Sequence, residues 1–397
     1  MTCLRRMAVA LTLCLCASLT PPSLAYAAST CLGAADADTS AIWPIAQTRL
    51  LDLATGAGIP FGATGRSTYR RTDVHSWTAG FYPTSLWLLY GHTRDGHVLD
   101  TARAYTDRLL PVAGWTGTHD LGFMIGLPTL TAEEFEPDPD RRAAYAAAAL
   151  TAARTLAKRW NGRVGAMKSA EYAGQWGLII DSAMNAPLLI SEGKRIGGAE
   201  GRHLVSIGTT HMLTLARDLL RPNGSTLHRV AYDPGTGNVL GAIPGQGLRT
   251  SSTWARGQAW AVNGFAAAYG LTLDPRLLDA ARRSADYWMS HVQSGCVPAW
   301  DLDISSWKAP RDTSAAAIVA DGLLRLSQVD PDATRAAAYH DYAVATLRVL
   351  SRPAWTPSMA GVRGLLQHQA YNIPADRREG TYVWGDAYLL SALSTSG

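Results

Sequence analysis

The feature that most constrains this chain is an alternation, six times over, between two kinds of helical segment. Segments 39–54, 99–110, 141–160, 201–220, 276–292 and 337–350 place Arg and Asp between apolar residues that recur at three- and four-residue spacing. That is the pattern of a helix with one wet face. Segments 78–91, 120–128, 181–191, 256–270, 312–324 and 384–393 carry Gly, Asp or Trp at or just after their start and then run almost without charge. A helix that is apolar all round belongs inside a fold. Six buried helices alternating with six amphipathic ones predict an all-α (α/α)6 barrel, a toroid of six hairpins with the uncharged helices lining a central depression. The buried helices begin at irregular intervals, near 78, 120, 181, 256, 312 and 384. This argues against a solenoid of near-identical repeats. The extra length falls in the loops before the buried helices, where a rigid scaffold ordinarily carries its site. β-rich runs are few, which disfavours an α/β barrel.

No Ser/Gly/Pro-rich linker divides the chain, so residues 28–397 are expected to form one domain. Residues 1–27 read as a secretory signal, with Arg5 and Arg6, an apolar stretch over 7–19, and the small-x-small site Ala25-Tyr26-Ala27. Leu13 and Leu15 stand before Cys14 and Cys16, where a lipoprotein signal needs a small residue. No stretch reaches the length of a bilayer span, so a secreted protein without a membrane anchor is expected. Removing the signal leaves Cys31 and Cys296, a pair compatible with one disulfide in an oxidising compartment.

Charge and composition exclude several functions. A net charge of +4 and basic runs no longer than two residues do not suit a nucleic-acid binder. A phosphate-cradling loop, a GxSxG elbow and an HExxH pair are all missing from the sequence. Asp301 and Asp303 lack the spacing of a calcium loop. Neither metal nor cofactor is expected. The 13 Trp and 15 Tyr against 5 Phe favour a partly wet groove that stacks against rings, sugars among them.

The candidate chemistry stands at the entrances to the buried helices. These positions hold His119 and Asp120, Asp181 and Asn185, Trp254, Arg256, Gln258 and Trp260, Arg311 and Asp312, and Trp384 and Asp386. Asp73, His75 and Trp77 precede the first of them. Acids at such positions ordinarily cap helices, and Asp312 and Asp386 read that way. Asp120 stands beside a histidine, which capping does not require. Asp181 follows the apolar run 177–180, so its carboxyl should be desolvated, raised in pKa and suited to general acid work. Arg256 opposes the dipole of its own helix. Either a substrate carboxylate or a neighbouring acid would supply its partner.

On these residues the chain resembles the unsaturated glucuronyl hydrolases of glycoside hydrolase family 88. The motifs, in order, are WTAGFYPTSLW, THDLGFM, IIDSAMNAPLL, TWARGQAWAVNGFAAAY, PAWDL, RDTSAAAI and HQAYN…VWGDAYLL, and they extend over residues 40–395. The resemblance implies an (α/α)6 barrel acting on oligosaccharides that end in a 4,5-unsaturated uronic acid, with hydration of the C4=C5 bond in place of attack at the anomeric carbon. It implies that Asp181 protonates the double bond and activates water, and that Asp120 is the second essential carboxylate. It also implies that His119, His228, Gln246, Arg256 and Trp260 contact substrate. The expected substrates are glycosaminoglycan fragments. Unsaturated rhamnogalacturonyl hydrolases share the fold and the chemistry, and a sugar-binding barrel without catalysis is the reading from another class. The stretch from Asp376 through Arg377 and Arg378 to Glu379 is more charged than the family pattern, which leaves the subsite beyond the cleaved bond open, and oligomeric state is not legible.

Overall fold

A computed structural model describes residues 37–396 except 65–67, 293–296, 307, 360 and 376. The proposed signal, and Cys31 and Cys296 with their expected disulfide, lie outside the described residues.

Twelve helices of the described residues alternate between an outer and an inner ring. The outer ones are α1 (Ile42–Leu53), α3 (Gly96–Asp107), α5 (Pro139–Ala157), α7 (Gly198–Asp218), α9 (Pro275–His291) and α11 (Ala333–Leu350). The inner ones are α2 (Phe81–Thr93), α4 (Leu127–Phe135), α6 (Ala186–Ile196), α8 (Ala255–Thr272), α10 (Thr313–Val329) and α12 (Val383–Ser396). The six-hairpin reading therefore matches the architecture. Every residue from Phe81 to Tyr90 of α2 is buried, as is nearly all of α8. α10 packs on both α8 and α12, and α12 packs on α2, which closes the ring. Small residues permit this closeness: a Cβ at Gly264 of α8 would lie 2.6 Å from the Cβ of Ala183.

The two rings begin differently. Asp95, Asp138, Asp274 and Asp332 cap α3, α5, α9 and α11 by accepting backbone N–H bonds. Such caps are worth about 0.5–2 kcal/mol each. Among the inner helices Asp312 caps α10 in the same way, as its sequence position suggests. Asp386 does not cap. It lies inside the first turn of α12 and accepts from the backbone N–H groups of Leu365 and Leu366, both at 2.9 Å, and so fastens the preceding loop. Asn185 and Trp254 stand at the N-cap positions of α6 and α8 without capping them by a side chain.

The loops entering the inner helices also carry strands that the sequence does not announce. One antiparallel sheet has the order β2-β1-β10-β9, from β1 (Ile59–Ala63), β2 (Arg70–Thr72), β9 (Gln369–Asn372) and β10 (Arg377–Tyr382). β3 (Trp160–Asn161) and β4 (Ala166–Met167) form a short hairpin. A second four-stranded sheet runs β5-β6-β7-β8, from β5 (Ala170–Tyr172), β6 (Gln175–Ile179), β7 (Arg229–Tyr232) and β8 (Val239–Ala242). These strands are short, and β10 reads RREGTY, so no apolar alternation marks them.

Candidate active site

The second sheet builds the centre of the site. β6 and β7 pair with Ile179 opposite Arg229, and the Ile180 N–H donates to the His228 carbonyl at 3.1 Å. This register places Asp181, just after β6, beside His228, just before β7. Asp181 Oδ2 lies 3.6 Å from His228 Nε2, and both side chains are largely buried. Neither atom has a hydrogen-bond partner within the described protein. A 3_10 turn over Ile180–Met184 then leads into α6.

His228 is held in one tautomer. Its Nδ1 accepts the Gln246 backbone N–H at 2.6 Å, and a backbone N–H can only donate, so the ring proton sits on Nε2 and faces Asp181. Burial, reinforced by Arg229 and Arg256, pushes this histidine well below its ordinary pKa, so it is neutral. Its ring lies 4.5 Å from that of Trp254. Burial pushes the Asp181 carboxyl up from 3.8 to about 6, with Arg256 opposing and Asp120 assisting. A carboxyl that holds its proton about two pH units further up than a free aspartate, with an unpartnered oxygen, is what the apolar run before it suggested.

Asp120 precedes a π-helical turn over Gly122–Gly126 that continues into α4. Its carboxylate accepts from Thr118 Oγ1 at 3.2 Å and lies 3.5 Å from His119 Nε2. The other nitrogen of His119 faces Ser182 Oγ at 3.4 Å, and Ser182 shares a 2.7 Å hydrogen bond with Ser169. Burial lowers the His119 pKa, which leaves the ring neutral.

Arg256 opens α8 and is 1% exposed. Its Nη1 donates to the Ala370 carbonyl and lies 3.4 Å from Asp312 Oδ2, while Nη2 donates to Gln246 Oε1 at 3.1 Å and to the Tyr371 carbonyl at 2.7 Å. The guanidinium also lies over Trp254 at 4.5 Å. A neighbouring acid is thus among its partners, and both terminal nitrogens are taken by protein acceptors, while the buried Nε has no partner within the described protein. Its charge still reaches Asp181.

Asp120, His119, Asp181, His228, Gln246 and Arg256 therefore come together at one end of the barrel. Trp260 does not line an open surface. It is fully buried against Phe123 at 5.0 Å and Tyr388 at 5.4 Å. Trp254, Trp300 and Trp384 are buried too, whereas Trp77, Trp115 and Trp176 keep partial exposure. Trp307 lies outside the described residues. Gln258 faces away from the site and donates to the carbonyls of Gly224 and Ser284. Asp301 fastens the 246–253 loop, accepting from Leu248 N at 2.8 Å and Ser252 Oγ at 2.7 Å.

Three further residues join the site without a signal in the sequence. Arg229 lies over the Tyr172 ring at 4.3 Å. Burial raises the Tyr172 pKa, with Asp181 and Asp120 adding to the effect. Arg159 feels the charge of Asp120. In the charged C-terminal stretch, Glu379 accepts the Arg311 backbone N–H at 3.1 Å and pairs with His368, whereas Asp376 lies outside the described residues. Among the described residues no cluster of His, Cys, Asp or Glu could hold a metal ion, and no helix is long and apolar enough to cross a membrane.

No protein-family model matches the chain. It is 33% identical over 326 residues to an unsaturated glucuronyl hydrolase of Formosa agariphila, covering 80% of this chain and 79% of that protein. The chain belongs to the unsaturated glucuronyl hydrolases of glycoside hydrolase family 88. Within this glycoside hydrolase family, an unsaturated chondroitin disaccharide hydrolase of Streptococcus agalactiae is 30% identical, covering 85% of each chain. The crystal structure of an unsaturated glucuronyl hydrolase specific for heparin superposes with a TM-score of 0.83 at 28% identity, covering 90% of this chain and 96% of that one. This agreement extends to the (α/α)6 architecture.

Proposed function

We propose that this unsaturated glucuronyl hydrolase releases the 4,5-unsaturated uronate from the non-reducing end of glycosaminoglycan fragments, with Asp181 as the acid. The observation that carries the assignment is the buried Asp181 carboxyl, pushed up to about 6, whose Oδ2 is unpartnered beside His228.

The geometry supports this sequence. Protonated Asp181 gives its proton to C4, and the C4=C5 electron pair forms the new C–H bond. The positive charge left at C5 is shared with the ring oxygen as an oxocarbenium ion, which the Asp120 carboxylate stabilises. Asp181, now ionised and stabilised by the field of Arg256, takes a proton from a water whose oxygen bonds to C5. The resulting hemiketal opens to a C5 ketone, leaving a hemiacetal at C1 that expels the remaining sugar. One water is consumed, and Asp181 ends protonated as it began. His228 Nε2–H is a fixed donor at the reacting face. Arg256 acts through its charge, since both of its terminal nitrogens are held by protein oxygens, and the partly exposed Trp77, Trp115 and Trp176 supply the faces for ring stacking. The protein is secreted, with the signal removed after Ala27.

The test is direct. Chondroitin-, hyaluronan-, heparin- and rhamnogalacturonan-derived unsaturated disaccharides are offered to the wild type and to Asp181→Asn. Turnover is read as loss of the ultraviolet absorbance of the conjugated enol ether. The wild type is expected to turn over glycosaminoglycan disaccharides and D181N to bind without turnover. Turnover by D181N at the wild-type rate would overturn the mechanism, and turnover of the pectin fragment alone would move the substrate to the rhamnogalacturonyl class. N-terminal sequencing of the secreted protein is expected to begin at Ala28.

A further inference from the structure

We infer that Asn185 is a positioning residue that joins the two acid-bearing segments and performs the capping that Asp120 would otherwise do. Both Asp120 and Asn185 stand at the start of an inner helix. The ordinary task of each there is to accept N–H bonds from its own first turn. Neither does so. Asn185 makes no side-chain cap on α6. Instead its Oδ1 accepts the Phe123 N–H at 3.1 Å, in the π-helical turn behind Asp120. The cap is supplied from the neighbouring hairpin, and the Asp120 carboxylate stays clear of its own helix.

That bond also fixes which way the Asn185 amide faces. A backbone N–H donates, so the oxygen of the amide must point to Phe123 and the nitrogen to the other side. There Nδ2 lies 3.5 Å from Asp120 Oδ1 and 3.4 Å from the Asp181 carbonyl. One side chain, 1% exposed, thus accepts from the segment after Asp120 and donates to both acid-bearing residues. The polar contacts are long, so their contribution is orientation more than energy.

The surrounding packing leaves the amide little freedom. A Cβ at Gly122 would lie 2.6 Å from Asn185 Cα and 2.7 Å from Asn185 Oδ1. On the far side of the same turn, a Cβ at Gly80 would lie 2.0 Å from the Phe123 carbonyl oxygen. The π-turn is therefore clamped between two glycine contacts, with Asn185 seated in one of them. Single π-turns of this kind are often retained where a functional group must be aimed.

The inference rests on the hydration reading, and the test keeps the two apart. Asn185→Asp retains an acceptor for Phe123 and replaces the donor with a further acid beside Asp120. Asn185→Ala removes both. For N185D the expected result is a Tm close to wild type at acid pH that falls as the new buried carboxyl ionises, kcat lower by on the order of 10–100-fold, KM little changed, and a basic limb of kcat/KM displaced to higher pH. N185A is expected to lose Tm as well. If N185D folds poorly, Gly122→Ala displaces Asn185 without altering its chemistry and is expected to lower kcat similarly. Carboxyl NMR gives a readout independent of substrate: the Asp181 titration is expected to move upward in N185D. Wild-type kcat and pH profile in N185D or G122A, or an unmoved Asp181 titration, would reduce Asn185 to a cap and overturn the inference. A wild type inert toward every unsaturated uronide, with the Asp181 titration still displaced in N185D, would instead overturn the hydration reading alone.

Discussion

Replacing the proposed acid should make this protein more stable, and only in part of the pH range. Burial pushes the Asp181 carboxyl from 3.8 to about 6, so the folded state holds that proton more tightly than the unfolded chain does. Well below pH 3.8 the group is protonated in both states and contributes no difference. As pH rises through 4 to 6 the unfolded chain ionises first, and the folded state falls behind. Above about 6 the folded protein carries a buried charge at a fixed cost. A difference of about two in pKa corresponds to ~3 kcal/mol. Asp181→Asn removes the charge and keeps the shape, so its advantage over wild type should be only ~0.5 kcal/mol at pH 4 and rise to ~3 kcal/mol by pH 8. With an unfolding entropy of roughly 2.1 cal/mol/K per residue, that is about 4 °C in Tm for a chain of this length. Asp312 and Asp386 also have raised pKa values, but both proteins contain them, so they cancel in the comparison. The assay is urea or thermal unfolding of the two proteins from pH 4 to pH 8. A pH-independent difference, or a D181N protein less stable than wild type at pH 8, would refute the claim that desolvation governs this carboxyl.

Other consequences can be checked with the same material. Asp120→Asn removes a charge that raises the Asp181 pKa, so residual kcat/KM should lose its basic limb at a lower pH than wild type. Arg256→Met has the opposite sign, because Arg256 holds the Asp181 pKa down. The basic limb should move to higher pH, and urea unfolding should show a loss of about 3–5 kcal/mol from leaving Asp312 buried without its cation. Gly364 adopts φ +70°, and a Cβ there would lie 2.0 Å from Thr381 Oγ1. Gly364→Ala should therefore lower stability by about 1–3 kcal/mol in the same assay, with the loop fastened by Asp386 losing protection from hydrogen exchange.

The helices were legible because charge patterning is a local signal that survives without tertiary context. Asp181 was legible for a related reason: an apolar run leading into an acid announces desolvation. The arginine was legible only in part. Its awkward place at a helix start demanded a partner, but the partners are largely the Ala370 and Tyr371 carbonyls, more than 100 residues along the chain, and carbonyls leave no mark on a sequence. The tryptophans misled in part, since position at an entrance does not reveal whether a ring faces solvent or, like Trp260, the barrel core. Asp386 showed the same ambiguity, because capping and fastening a loop place the same residue type at the same helix end. The strands that set Asp181 against His228 were hidden because their register, not their composition, performs the task.

The closure of the ring bears on when activity can arise. The final stretch of the chain supplies the carbonyls that hold Arg256, and α12 seals the gap between α10 and α2. An N-terminal fragment can contain Asp120, Asp181 and His228 and still leave the guanidinium without its anchors. During synthesis the site is therefore assembled only once α12 has emerged and closed the ring, so catalysis begins late in the folding of the chain.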